Sequence, residues 1–228
     1  KNIKILEDAA GALGTKYLKG KLKNKFAGAV GDIGCLSFNG NKIITSGGGG
    51  MILTANSKYA KKAYYLSTQA RDHKINYVHN EIGYNYRLTN IQAALGLAQL
   101  EKINYFLKRK KILHNFYNKS LKKIKGLTYN IKPNYAKNNN WMLSIRLDNK
   151  KLKLEKFISL LNQKNIGARP IWFPLHMQVP YKKYQSSKII NATKIYKTTF
   201  NIPSSTNLSI KDAYLVVKTI IKTIKRFY

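Results

Sequence analysis

Four consecutive glycines, Gly47 to Gly50, interrupt the stretch SFNGNKIITSGGGGMILT at residues 37–54. A run like this does not sit inside a helix or strand, where each glycine costs about 0.5–1 kcal/mol relative to alanine through lost chain entropy. It forces a turn between two short apolar runs, GCLSF (34–38) and GGMILT (49–54), which read as strands. One lysine, Lys42, falls in the connection just past the first of them. Open α/β sheets hold their ligands outside the carboxyl ends of the strands, so Lys42 is placed where such a protein keeps its chemistry. In a compact, partly desolvated pocket a lysine has a lowered pKa and forms a Schiff base with an aldehyde. Ser37, five residues earlier, offers a hydroxyl to a phosphate, and the glycine amides can form an anion-binding nest. The ordinary alternative is a glycine-rich surface turn carrying one more lysine. The run matches neither a dinucleotide fingerprint nor a P-loop, which excludes both nucleotide readings.

Ahead of this stretch, residues 1–6 form a short apolar run that reads as a buried strand with the carboxylates of Glu7 and Asp8 at its carboxyl end. Asp8 then either caps a following helix or pairs with a cationic ring nitrogen. An open parallel sheet that begins with so interior-looking a strand leaves a bare apolar edge, which implies sheet ahead of Lys1. Downstream, SKYAKKAYYLSTQ (57–69) has helical spacing. Residues 88–121 read as one long amphipathic helix, opened by a Thr89–Gln92 capping box and striped by Ile91, Leu95, Ala98, Phe106 and Leu113. KGLTYNIKPNYAKNNN (125–140) reads as a Pro/Asn-rich hinge. Beyond it come a strand in WMLSIRL (141–147), a helix in KLEKFISLLNQKN (153–165), a strand in IGARPIWF (166–173) and a closing helix at 209–227. Ser209 is its N-cap, and Asp212 lies in the first turn, where the helix dipole favours an acid. The organisation expected is an α/β domain over residues 1–105 and a smaller α/β domain over 106–228.

The charge admits a different class of function. Forty-two Lys and Arg face nine Asp and Glu, a net charge of +33, and basicity of that order raises nucleic acid as a partner. The lysines are spread along the whole chain instead of being gathered in one stripe, and neither zinc-finger spacing nor an RNA-binding sheet motif is present. Specific nucleic-acid binding is therefore not expected, although small anions are drawn to such a surface at low salt. A non-catalytic basic module binding nucleic acid or other polyanions stands as the alternative, marked by a steep loss of binding with salt. With 44% hydrophobic residues the chain can build a core. It has no apolar run of about 18 residues to cross a membrane. The lone Cys35 fits a reducing, cytoplasmic setting. His73, His79 and His114 have no ligand spacing, so no metal site is expected.

An ordered series of motifs adds a resemblance. EDAAGALGTKYLKGKLKNKFAGAVGDIGCLSFNGNKIITSGGGGMILT, then STQARD, YVHNEIGYNYRLTNIQAALGLAQLEKI and GARPIWFPLHMQVPY, closely resemble the DegT/DnrJ/EryC1/StrS family of sugar aminotransferases. The similarity is strongest to the branch acting on nucleotide-linked 4-keto sugars of the bacillosamine and legionaminic-acid type. It implies a fold-type-I, aspartate-aminotransferase-like α/β architecture that uses pyridoxal 5'-phosphate. A mostly parallel sheet in a partial large domain would be followed by the smaller α/β domain. The implied reaction moves an amino group from glutamate to a nucleotide-linked keto-hexose, in a homodimer, for cell-surface polysaccharide synthesis. The family's dehydratases replace the lysine with histidine, so the retained Lys42 argues for amino transfer.

The resemblance assigns roles residue by residue. Lys42 aligns with the Schiff-base lysine, Asp8 with the acid that keeps the pyridine nitrogen protonated, and Ser37 with a cofactor-phosphate ligand. Asn85 of GYNYR aligns with an asparagine reaching the phosphate from the neighbouring subunit, with Arg87 beside it for anionic groups. His176 of PLH falls in a segment that lies near the active site in relatives. Gly11 stands where many relatives carry His or Gln against the cofactor ring, and Gly48 where Glu is common; both mark a subtype. Relatives carry a substantial portion ahead of EDAA, with further strands and part of the phosphate cradle. The resemblance thus implies the C-terminal part of an aminotransferase, and weak or no cofactor binding by this polypeptide alone.

Overall fold

The computed structural model describes residues 3–73, 75–129, 133–148 and 152–227. In chain order its elements are β1 (Leu6–Asp8), β2 (Lys16–Tyr17), β3 (Ile33–Ser37), β4 (Gly50–Leu53), α1 (Ser57–Ser67), α2 (Asn90–Glu101) and α3 (Ile103–Leu121). There follow β5 (Leu127–Tyr129), β6 (Ala136–Lys137), β7 (Leu143–Leu147), α4 (Leu154–Asn162), β8 (Arg169–Pro170), α5 (Ile190–Thr198), β9 (Thr199–Ile202) and α6 (Ile210–Ile224). They fall into two compact units, Lys1–Lys108 with Lys132–Trp141, and Arg109–Ile131 with Met142–Tyr228.

In the first unit β3 is the middle strand of three. β1 runs parallel to it, pairing Asp8 with Cys35, and β4 runs antiparallel, pairing Ser37 with Gly50. The strand expected over residues 1–6 lies instead at Leu6–Asp8; Lys1 and Asn2 fall outside the described residues. The displacement has a local cause. Ile5 donates its N–H to the Asp32 carboxylate at 2.9 Å, and its carbonyl accepts the N–H of Asp32. Nor is the apolar run buried, since Ile3, Ile5 and Leu6 are 73%, 58% and 69% exposed. The runs read as strands at 34–38 and 49–54 are β3 and β4. Asn56 caps α1 by accepting the N–H groups of Lys58 and Tyr59.

The helix expected over 88–121 is two helices. Thr89 and Gln92 form the full capping box of α2, but at Lys102 the amide turns back to the carbonyl of Gln99, three residues earlier. That tightened turn ends α2, and α3 starts afresh at Ile103. The segment expected as a hinge, 125–140, contributes two strands, with residues 130–132 outside the described set. Leu127–Tyr129 joins the sheet of the second unit as β5, whereas Ala136–Lys137 pairs with β2 in the first.

The second unit is built on a four-stranded antiparallel sheet in the order β5-β7-β9-β8. Alternate residues of β7, Leu143, Ile145 and Leu147, point inward, the period-two pattern of a sheet with one buried face. The core joins them to Leu113 and Tyr117 of α3, Phe157 and Leu161 of α4, Phe200 of β9 and Ile220 of α6. Phe157 and Phe200 meet edge to face with centroids 5.4 Å apart. α6 buries Ala213, Val216, Val217, Ile220 and Ile224, one stripe of a 3.6-residue period, and Ser209 caps it by accepting the N–H of Asp212 at 3.0 Å. Of the strand expected over 166–173 only Arg169–Pro170 forms a strand paired with β9, and Ile171 adds a single bond from its amide to the carbonyl of Thr199 at 3.4 Å. No helix among the described residues is long and apolar enough to cross a membrane.

Candidate active site

Three of the expected site residues converge at the carboxyl ends of the two parallel strands. Asp8 is the last residue of β1 and Ser37 the last of β3; Lys42 lies in the loop that β3 feeds. The loop is shaped by bonds back to one residue. Phe38 donates to the carbonyl of Gly49 and accepts, on its own carbonyl, the amide of Ser46 and the hydroxyl of Thr45, all within 2.9–3.0 Å. Ile43 and Ile44, directly after Lys42, are buried beside Phe38, which anchors the lysine's backbone in the core. From α2, the Gln99 side chain accepts the amide of Thr45 at 2.9 Å.

The glycine run is required by close approach. A Cβ on Gly50 would stand 2.3 Å from the carbonyl oxygen of Leu36, and one on Gly49, at φ +79°, would stand 2.2 Å from a methyl of Leu88. At Gly47 no atom lies within 4 Å of where a Cβ would be, which leaves that side of the loop open.

The electrostatics couple two residues far apart in sequence. Burial lowers the Lys42 pKa from its ordinary 10.5, and the charge of Asp8 acts against that burial. The Asp8 carboxylate also accepts the amide of Ala10 at 3.0 Å, which fixes the turn after β1. The Ser37 hydroxyl, half-buried, accepts the amide of Asn39 at 3.4 Å. A base-capable amine, a carboxylate and a hydroxyl thus lie at the carboxyl ends of two neighbouring parallel strands, beside a glycine turn.

The remaining expected residues make other contacts. Asn85 is exposed and bridges to Thr68, while the exposed Arg87 guanidinium lies 4.7 Å from the centre of the Tyr64 ring. His176 belongs to the second unit, in a single helical turn at Leu175–Met177, with its Nε2 3.3 Å from the Thr193 hydroxyl of α5. One site residue had no local signal in the sequence: Trp141. Its indole N–H donates to the carbonyl of Asn41 at 2.6 Å, and the Lys42 Nζ stands 3.9 Å from the centre of its ring.

Comparison with known proteins identifies the family. The model of the DegT/DnrJ/EryC1/StrS aminotransferase family matches residues 1–221. The chain is 40% identical over 178 residues to the "putative pyridoxal phosphate-dependent aminotransferase EpsN" of Bacillus subtilis, covering 77% of this chain and 44% of that protein. It is 35% identical over 221 residues to a GDP-perosamine synthase of Escherichia coli O157:H7, covering 96% of this chain and 58% of that one. Among solved structures, an aminotransferase, TlmJ, from Streptoalloteichus hindustanus superposes with a TM-score of 0.90 at 20% identity, over 99% of this chain and 60% of its own. Helicobacter pylori PseC, an aminotransferase of pseudaminic-acid synthesis, gives 0.87 at 23% identity, over 99% and 60%. The chain therefore spans about half of the curated relatives' length, and the structural likeness establishes a fold-type-I α/β architecture. With its motif series, its strand-end lysine and a family match over nearly its whole length, the chain belongs to the DegT/DnrJ/EryC1/StrS aminotransferase family.

Proposed function

We propose that this chain carries the lysine half of a pyridoxal-phosphate-dependent active site that transfers an amino group from glutamate to a nucleotide-linked keto-hexose. The observation that supports this most is the placement of Lys42 with Asp8: a partly buried amine, its pKa lowered by burial, within electrostatic reach of a carboxylate at the carboxyl ends of parallel strands. The residues present fit the cofactor. Lys42 would attach it, Asp8 would face its ring nitrogen, and Ser37 with the open glycine turn at Gly47 would take its phosphate. Asn85 of a second subunit, with Arg87 beside it, would complete the phosphate site in a homodimer.

When bound, pyridoxal phosphate supplies an aldehyde that takes up amino groups and a ring that draws electrons from the reacting carbon. The chain's own residues supply the rest. Asp8 keeps a positive charge on the ring nitrogen by its own negative one. Lys42 Nζ takes a proton from the carbon of glutamate that bears the amino group and later returns one on the sugar side. A lowered pKa makes its unprotonated form accessible nearer neutral pH. The names of relatives, GDP-perosamine synthase and a UDP-sugar transaminase, support a nucleotide-linked sugar as acceptor. Such a substrate and the lone thiol of Cys35 fit action in the cytoplasm.

The test adds pyridoxal phosphate to the protein, expressed with whatever its reading frame supplies on either side of these residues. A visible absorbance band is expected in the wild type and not in Lys42→Ala. Glutamate should bleach it, and a nucleotide-linked 4-keto sugar should restore it. An equal band in Lys42→Ala would overturn the assignment of the lysine; a band indifferent to glutamate would overturn the reaction.

A further inference from the structure

We infer that Trp141 is a positioning residue for Lys42, its indole face holding the lysine's ammonium whenever the amine is not bonded elsewhere. The inference rests on the reading of Lys42 as the reactive amine. Three contacts made by one ring carry it. The Nζ of Lys42 stands 3.9 Å from the ring centre, the distance of a cation over a π face. On its edge, the ring N–H donates to the carbonyl of Asn41, which fixes the indole to the residue just before the lysine. At the other end, Trp141 lies on Gly11: a Cβ there would stand 2.6 and 2.7 Å from Cζ3 and Cε3 of the indole.

Gly11 is thus the residue that admits the ring, and it sits three residues past Asp8. The ring's own backbone is tied to the same turn. Trp141 donates its amide to the Asn139 side chain at 3.0 Å, and the Asn139 amide group donates to the carbonyls of Gly11 and Leu13 at 2.8 and 3.0 Å. Asn139 is almost fully buried, so this tie is held in place. One indole therefore spans from the Asp8 turn to the lysine loop. A four-carbon lysine stem left free would sample many rotamers; laid across this ring, it keeps its amine above the turn that carries the acid. A side chain larger than hydrogen at position 11 displaces the indole and releases the lysine without altering either partner.

The test observes the lysine directly, in the cofactor-free protein. In protein labelled with 13C-lysine, the ε-methylene resonance of Lys42 is assigned by its disappearance in Lys42→Arg. It should be shifted upfield by the indole ring current, keep part of that shift in Trp141→Phe, and move to the common lysine position in Trp141→Leu and in Gly11→Ala. The amide spectrum away from residues 8–15 and 38–46 checks that the variants fold. In the protein expressed with whatever its reading frame supplies on either side, growth of the visible band on adding pyridoxal phosphate should slow about fivefold in Trp141→Leu and recover most of that in Trp141→Phe, equivalent to ~1 kcal/mol of cation–π attraction. A Lys42 resonance at the common position in the wild type, or equal rates in wild type and Trp141→Leu, would overturn the inference. The resonance needs no cofactor, so its failure is distinct from a missing Lys42-dependent band, which would overturn the reading of the site while leaving the contact intact.

Discussion

The side-chain carbonyl of Gln99 accepts the backbone amide of Thr45 at 2.9 Å, joining the last turn of α2 to the loop that carries Lys42. The bond closes a contact between residues 54 positions apart and supports the loop from outside its own chain segment. Gln99→Leu leaves the Thr45 amide without that acceptor and should cost about 0.5–1.5 kcal/mol of stability. Gln99→Glu retains an acceptor and should retain most of it. Hydrogen exchange at the Thr45 amide checks this directly, with protection lost in the leucine variant and kept in the glutamate variant. Equal exchange in both would remove Gln99 from the support of the loop.

Glu7 performs a similar task for the approach to β3. Its carboxylate accepts the amides of Gly28, Val30 and Gly31 at 2.8, 2.7 and 2.6 Å. Burial pushes its pKa up, but the three N–H groups outweigh burial and hold the carboxyl below its ordinary 4.5. A carboxylate depressed in the folded state contributes stability above its unfolded pKa, and that contribution fades as pH falls through the folded value. The wild type should therefore lose stability below pH 4.5 more steeply than Glu7→Gln. At neutral pH the variant should be weaker by about 1–3 kcal/mol, since its NH2 group replaces one of the two carboxylate oxygens and turns a donor toward at least one of the three N–H groups. Urea unfolding at several pH values measures both effects.

The opposite sign is expected on the alkaline side. Lys110 of α3 is buried, its amine donating to the carbonyl of Ser204 at 2.5 Å, and burial lowers its pKa to about 8. Between that value and the ordinary 10.5 the unfolded chain holds more protons than the folded one, so stability should rise with pH. Burial also raises the hydroxyls of Tyr117 and Tyr129. They stay protonated in the fold after the unfolded chain would have released them, which reverses the trend above about pH 10. The rise from pH 8 to 10 amounts to about 2–3 kcal/mol by linkage and should vanish in Lys110→Met. Denaturation of the two proteins across this range, compared pairwise, removes the contribution of the other lysines.

Lys42 itself gives a fourth prediction. Burial lowers its pKa while Asp8 raises it, so its amine should react with acetic anhydride with a midpoint below the ordinary 10.5. Removing the opposing charge in Asp8→Asn should lower the midpoint further. Peptide mass mapping at graded pH reads Lys42 among the other lysines. A midpoint that rises in Asp8→Asn would show that the two groups are not coupled as the geometry requires.

Local rules made much of this protein legible before any folding was considered. A glycine run between two apolar segments gave β3 and β4, because strands of this length announce themselves by composition and by the turn that separates them. Thr89 with Gln92, and Ser209 with Asp212, gave the helix starts, because a cap is a bond between residues two or three apart. The break at Lys102 carried no glycine or proline to mark it, and a single tightened turn leaves the hydrophobic period almost unchanged. The candidate lysine and acid were named from sequence, by their strand-end positions and by the motif series that surrounds them.

What only the tertiary structure decided is which distant residues share that site. The two-residue pairing of β2 with β6 returns residues 136–137 to residues 16–17, and with them brings Trp141 onto Gly11 and Lys42. The bond from Trp141 to Asn41 joins residues 100 positions apart. No periodicity in either segment encodes it, because such a contact depends on the summed geometry of everything between them. The sequence by itself determined the chemistry available at the strand ends; the fold decided which aromatic ring would hold the reactive amine, through the space left by a glycine with no side chain.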